Sequence, residues 1–144
     1  MKRKCVFFRV DSGNVLGVGH LNRCLILADE FKMENFEVHF ICQNLEGNLI
    51  KNIRKCGFKI HQIRNSNDTI TNDFQKTKQI LEKFQDRISC LVIDNYRWNK
   101  KYEGKLRSMI KCIFIIDDLA NRKHDCDILL DQNLYTNFEK RYEK

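Results

Sequence analysis

Short apolar runs alternate with longer amphipathic stretches along almost the whole chain. Cys5 to Phe8 reads as a buried strand. After it, Leu21, Cys24, Leu25, Leu27, Ala28 and Phe31 fall at helical spacing and predict a helix from Leu21 to Met33. Val38 to Cys42 is a second strand, Leu49 to Cys56 a shorter helix closed by Gly57, and Phe58 to Ile63 a third strand. The polar stretch Arg64 to Asn72 predicts a loop, followed by a helix from Asp73 to Phe84. Cys90 to Ile93 is a strongly apolar fourth strand, Tyr102 to Ile110 a helix, Cys112 to Ile116 a fifth strand and Ile128 to Leu130 a short sixth. Strands that alternate with helices predict an α/β fold, with a parallel sheet covered by helices on both faces.

A chain of 144 residues suits one globular domain with a core of its own. Its 42% hydrophobic and 31% charged residues exclude a disordered or fibrous class. No stretch approaches the roughly 20 apolar residues of a membrane helix. The apolar run after the basic start is cut short by Arg9 and Asp11, so neither a membrane span nor a signal peptide is expected, and the expected location is cytoplasmic. The seven cysteines include no C-x-x-C pair, which argues for thiols acting as small buried hydrophobes and against a zinc or redox motif. The net charge of +7 is spread along the chain. Its densest groups, Lys2-Arg3-Lys4 and Asn99-Lys100-Lys101, lack interleaved aromatics, so a nucleic-acid partner is not expected.

In an open parallel sheet, ligands bind beyond the carboxyl ends of the strands. The loop after the first strand runs from Asp11 to His20 with glycines at 13, 17 and 19, where backbone can approach a ligand closely. That spacing is not G-x-G-x-x-G and no P-loop lysine is present, which disfavours nicotinamide and nucleoside-triphosphate binding. His20 falls at a helix N-terminus, where the dipole favours a neutral ring able to accept a proton. Asp94-Asn95-Tyr96 and Asp117-Asp118 end neighbouring strands and could face one cleft with His20, although aspartates at such positions also cap helices and shape turns. His39, His61 and His124 show no metal-ligand spacing with a carboxylate or with one another.

Arg9-x-Asp11, Gly17-Val18-Gly19-His20, Arg23-Cys24-Leu25 and Leu27-Ala28 together resemble the opening of the UDP-sugar hydrolases of pseudaminic acid biosynthesis. The resemblance continues through Leu45-Glu46-Gly47-Asn48-Leu49-Ile50, Val92-Ile93-Asp94-Asn95-Tyr96, Ile116-Asp117-Asp118-Leu119-Ala120, His124-Asp125-Cys126-Asp127 and Leu129-Leu130-Asp131-Gln132-Asn133-Leu134. Residue 95 is Asn where histidine is also common. The resemblance implies a Rossmann-like domain over residues 1–134, the N-terminal half of a glycosyltransferase-B architecture similar to the lipid II glycosyltransferase. Residues 135–144 would then be a truncated linker toward a C-terminal nucleotide-binding domain that is absent.

It also implies hydrolysis of UDP-2,4-diacetamido-2,4,6-trideoxy-β-L-altropyranose by water attack at the anomeric carbon, with UDP leaving, inversion of configuration, and neither metal nor cofactor. His20 would be the general base. Asp11, Gly17, Val18, Gly19, Asp94, Tyr96 and Asn133 would contact or shape the substrate site: the glycine loop along the sugar or its phosphates, Tyr96 beside the sugar, Asp94 shaping its loop, and Asn133 near the domain crossing. The expected partners are the UDP-sugar and a separate C-terminal UDP-binding half. Two alternatives stand beside the hydrolase: a non-catalytic or partner half of a split glycosyltransferase-B-like protein, and a non-functional fragment.

Overall fold

The computed structural model describes residues 2–64 and 69–143. Six strands form one sheet: β1 (Cys5–Val10), β2 (Glu37–Gln43), β3 (Lys59–Ile63), β4 (Ile88–Asp94), β5 (Ile113–Ile116) and β6 (Ile128–Leu130). All neighbours pair in parallel, in the order β3-β2-β1-β4-β5-β6. This is the Rossmann-like α/β fold that the alternating pattern predicts.

Alternation along β1 divides the core in two. Cys5 and Phe7 join Leu91, Ile93, Trp98 and Leu106 on one face, while Val6, Phe8 and Val10 join Phe40, Val92 and Ile116 on the other. Helices α1 (Gly19–Met33) and α2 (Ile50–Lys55) cover the second face through Leu21, Cys24, Ala28, Ile50 and Ile53. Helix α3 (Ile70–Glu82) covers the first through Phe74 and Leu81, beside Tyr102 of the five-residue helix α4 (Lys100–Gly104). Burying both faces explains the apolar runs Cys5 to Phe8 in β1 and Cys90 to Ile93 in β4.

Two helices differ from the pattern-based expectation. Helix α3 starts at Ile70, because the Thr69 side chain accepts the Asn72 N–H at 3.2 Å and so caps it. Residues 65–68 of the expected loop lie outside the described residues. The helix expected over Tyr102 to Ile110 is instead α4 followed by turns, in which Leu106 N–H donates to Glu103 O (3.0 Å) and Met109 N–H to Leu106 O (3.0 Å). Asn99 caps α4 by accepting the Lys101 N–H at 3.0 Å, and Gly104 weakens its continuation. The apolar spacing that suggested one helix is real, since Tyr102, Leu106 and Ile110 are all buried, but turns deliver it.

Candidate active site

The strand order reverses between β1 and β4, and a crevice opens beyond the carboxyl ends of such neighbours. Val10 pairs with Asp94 in the last register step, so the β1 and β4 loops leave the sheet side by side. A cavity of about 400 Å³ lies there, lined by the 11–16 loop, His20, the β2 loop at Gln43, Leu45 and Glu46, and residues 94–97.

The glycine loop is folded back on itself. Gly17 N–H donates to Gly13 O at 2.9 Å, and the turn needs φ +73° at Gly17. The β2 loop packs against it through the Asn14 N–H to Glu46 O bond of 3.1 Å. At Gly47, with φ +70°, a Cβ would crowd the Asn14 side chain and lie 3.1 Å from its backbone nitrogen, so the conformation and the approach both favour glycine. Helix α1 then starts at Gly19 with no side-chain cap, which leaves its first amides free of a side-chain acceptor.

His20 is the second residue of α1. Its Nδ1 lies 2.6 Å from Asp94 Oδ1. Arg23 Nη2, which can only donate, lies farther from the same nitrogen at 3.1 Å. The shorter contact assigns the tautomer: with the carboxylate accepting, Nδ1 carries the proton and Nε2 is the ring's acceptor. Asp94 is held in turn by Arg23, whose Nε donates to Oδ2 at 2.5 Å and whose Nη2 donates to Oδ1 at 2.6 Å. Arg23 Nη1 reaches Asp118 Oδ2 at 3.2 Å. The Tyr96 hydroxyl donates to Asp118 Oδ1 at 2.6 Å, and its ring meets that of His20 edge-on, 4.7 Å between centroids. Four elements thus fix one imidazole.

Burial, then the bond to Asp118, pushes the Tyr96 phenol up to about 12, so it stays a donor. Burial raises the Asp118 carboxyl, but the Tyr96 hydroxyl and the Arg23 guanidinium outweigh it and leave the pKa lowered. The hydrogen bonds to Asp94 raise the Arg23 pKa further, against the opposing effect of burial.

A second charged network lies behind the cavity. The fully buried Arg9 guanidinium donates to Asp11 Oδ1 and Oδ2 (2.6 and 2.8 Å), to Asp73 Oδ1 and Oδ2 (2.9 and 2.6 Å) and to Ile41 O (3.3 Å). Asp11 also accepts the Gln43 N–H (2.7 Å) and Asn95 Nδ2 (3.0 Å). Its carboxylate therefore ties together the β1, β2 and β4 loops that wall the cavity.

Of the residues expected at the site, His20, Asp94, Tyr96 and Asp11 come together at the cavity. Gly17, Val18 and Gly19 are exposed beside it, at the turn and the start of α1, and do not line it. Asn133 lies elsewhere, exposed, with its N–H bonded to Asp131 Oδ1 at 3.0 Å. Asp118 faces His20's group, whereas Asp117 is buried, accepting the Ala120 N–H (2.9 Å) and pairing with Arg122 (2.7 Å). Arg23 was not among the expected site residues. Its i, i+3 spacing from His20 puts both on one helix face and was the available signal.

At the opposite end of the sheet, Cys5, Glu37 and His39 bring potential metal-ligand atoms within 4.8 Å of one another. Glu37 is already paired there with Lys59 (2.8 Å) and Arg87 (3.0 Å), and His39 Nε2 bonds to it at 2.7 Å. His39 Nδ1 also lies 2.9 Å from His61 Nε2, a contact created by strand pairing that chain spacing does not reveal.

A parallel sheet with its cavity at the order reversal, and a histidine held against a carboxylate in that cavity, define a Rossmann-like α/β protein with a candidate site between β1 and β4. By sequence, the chain is 33% identical over 132 residues to the UDP-2,4-diacetamido-2,4,6-trideoxy-beta-L-altropyranose hydrolase of Campylobacter jejuni. The match takes in 90% of this chain and 42% of that protein, so the chain spans less than half the length of its relative. The resemblance carried by the ordered motifs therefore extends across nearly the whole chain. No family model matches the sequence.

Proposed function

We propose that this chain supplies the general-base half of an active site that hydrolyses a UDP-linked 2,4-diacetamido-2,4,6-trideoxy sugar in cytoplasmic pseudaminic acid biosynthesis. The observation that carries the reading is the His20–Asp94–Arg23 array at the cavity between β1 and β4. Water bound at the anomeric carbon gives its proton to His20 Nε2 as its oxygen bonds to that carbon. The bond from carbon to the phosphate oxygen breaks, and UDP leaves with the electron pair. Asp94 stabilises the imidazolium formed, and Arg23 holds Asp94 in place through both its oxygens. Tyr96 flanks the sugar, and the uncapped start of α1 faces the departing phosphate charge.

A glycosyltransferase-B partner half would hold the uridine and close the second wall of the cleft. Catalysis depends on holding substrate between both walls, so this chain alone is expected to turn over slowly or not at all. The test follows UDP release from the altrose-configured substrate, with and without a C-terminal half supplied in trans. In the complemented protein, His20→Ala should lower kcat by about 10²–10⁴-fold and leave substrate affinity largely intact. A variant that kept most of its rate would make His20 structural. The match to 42% of the relative's length also admits a second reading, a non-catalytic partner half, and inactivity of the complemented wild type would favour it.

A further inference from the structure

Two cysteines separated by 22 residues meet at the end of the sheet remote from the cavity: Cys90 Sγ lies 3.3 Å from Cys112 Sγ. Both are free thiols. Leu91 N–H donates to Cys112 O at 2.9 Å, and Leu91 pairs with Ile113, so Cys90 and Cys112 stand opposite one another where β4 and β5 begin. Neighbouring strands run about 4.8 Å apart. That lies within the roughly 4.4–6.8 Å between Cα atoms that a disulfide spans. Side-chain rotation alone can close the remaining distance to a sulfur–sulfur bond of about 2.05 Å.

The two thiols differ in access. Cys112 is half-buried, within reach of a small reagent, while Cys90 is only 6% exposed. Burial, reinforced by the contact with Cys112, pushes the Cys90 thiol well above its ordinary range, so it rests in the neutral form.

We propose that Cys90 and Cys112 are a peroxide-reactive dithiol that closes to an intramolecular disulfide across β4 and β5. The Cys112 thiolate attacks one oxygen of hydrogen peroxide, forming a sulfenic acid and releasing hydroxide. Cys90 sulfur then attacks the sulfenic sulfur, its proton leaves with the expelled hydroxyl as water, and the sulfur–sulfur bond forms. In sum, two thiols and one peroxide give one disulfide and two waters: the sulfurs lose two electrons and the peroxide gains them. Cys90 is the resolving sulfur because it is already in contact and shielded from a second equivalent of oxidant.

The test treats the reduced full chain with hydrogen peroxide, denatures it, and alkylates it with N-ethylmaleimide. Oxidation should remove the additions at Cys90 and Cys112 together, beyond any lost at Cys56, and the linked tryptic peptides 88–97 and 112–122 should appear with the loss of two hydrogens. Dithiothreitol should restore all seven additions. Cys90→Ser should abolish the link and leave Cys112 trappable by dimedone, while Cys112→Ser should leave Cys90 fully alkylated. Exposed Cys56 serves as the internal measure of oxidant strength. If Cys56 is oxidised while Cys90 and Cys112 both stay alkylatable, or if either links mainly to another cysteine, the assignment is overturned.

Discussion

Asp73→Ala isolates the energetic weight of the buried arginine. Arg9 has five N–H donors, and the five bonds to Asp11, Asp73 and Ile41 use all of them. Removing Asp73 leaves the Nε donor and one Nη2 donor unmet beside an apolar core, with a void where the carboxylate was. Breaking one partner of a buried ion pair costs about 3–5 kcal/mol, because the surviving charge stays desolvated. Domains of this size are stable by about 5–15 kcal/mol, so a large share of the margin is at risk. With a urea slope near 2 kcal/mol per molar, the midpoint should fall by about 1.5–2.5 M.

Asp73 also sits in the first turn of α3 and accepts from Thr77 (3.2 Å) and Arg97 (3.0 Å), so helix-end effects must be separated from the network. Asp73→Asn does this, since it keeps an acceptor but loses the charge, and it should fall between the alanine variant and wild type. Urea unfolding followed by far-ultraviolet circular dichroism reads all three. A loss below about 1 kcal/mol for the alanine variant would show that water or Arg97 can satisfy Arg9, and the network would then not be what fixes the cavity wall.

Three further outcomes are expected. Asp94→Ala removes the acceptor that meets His20 Nδ1, so nitrogen NMR should show Nδ1–H dominant in wild type and a mixture in the variant; an unchanged tautomer would mean that Asp94 does not set it. Gly47→Ala places a Cβ against the Asn14 side chain at φ +70°, which should cost at least about 1–2 kcal/mol in thermal or urea unfolding and shift the amide signals of residues 13–17; a silent substitution would refute the close approach of the two loops. Burial, then the neighbouring His39, lowers the His61 pKa to about 4, against about 6.5 in an unfolded chain. Between those values the unfolded state binds more protons, so stability is full above pH 6.5 and falls as the pH drops toward 4. His61→Phe should flatten that slope, and an identical pH profile would remove His61 as its source.

The chain's periodicity revealed the sheet because the central strands β1, β2 and β4 are buried on both faces and each long helix on one. It failed over residues 102–110, where a five-residue helix and turns bury the same side chains that a longer helix would bury. The placement of His20 at the cavity was legible where chemistry and position coincide in one short segment, the loop that runs from Asp11 into α1. The chain was less legible where strand pairing decides the neighbours: Arg9 with Asp73, His39 with His61, and Cys90 with Cys112 are 64, 22 and 22 residues apart, and no spacing rule links them. Asp11 shows a subtler limit. It does line the cavity, as its place in the motif implies, but its oxygens are taken up by Arg9, Gln43 and Asn95.

That use of Asp11 bears on how the cavity holds its histidine. Asp11 follows β1, and Asp94 ends β4, the adjacent strand, so two carboxylates are brought to one crevice at the point where strand order reverses. Left alone, they would repel one another and hold any nearby imidazole as a counter-ion. Each instead has its own arginine: Arg9 reaches Asp11 from within β1, and Arg23 reaches Asp94 from α1. The arginines come from different elements and point to different acids, so neither needs to move for the other to stay neutralised. Asn95 bonds the first pair to the loop that follows the second, which keeps the two arrays in fixed relation. With both acids held, Asp94 presents Oδ1 to His20 Nδ1 in a fixed position. The geometry thus uses Arg23 as much as Asp94, since Arg23 donates to both Asp94 oxygens and so fixes the carboxylate that His20 Nδ1 meets.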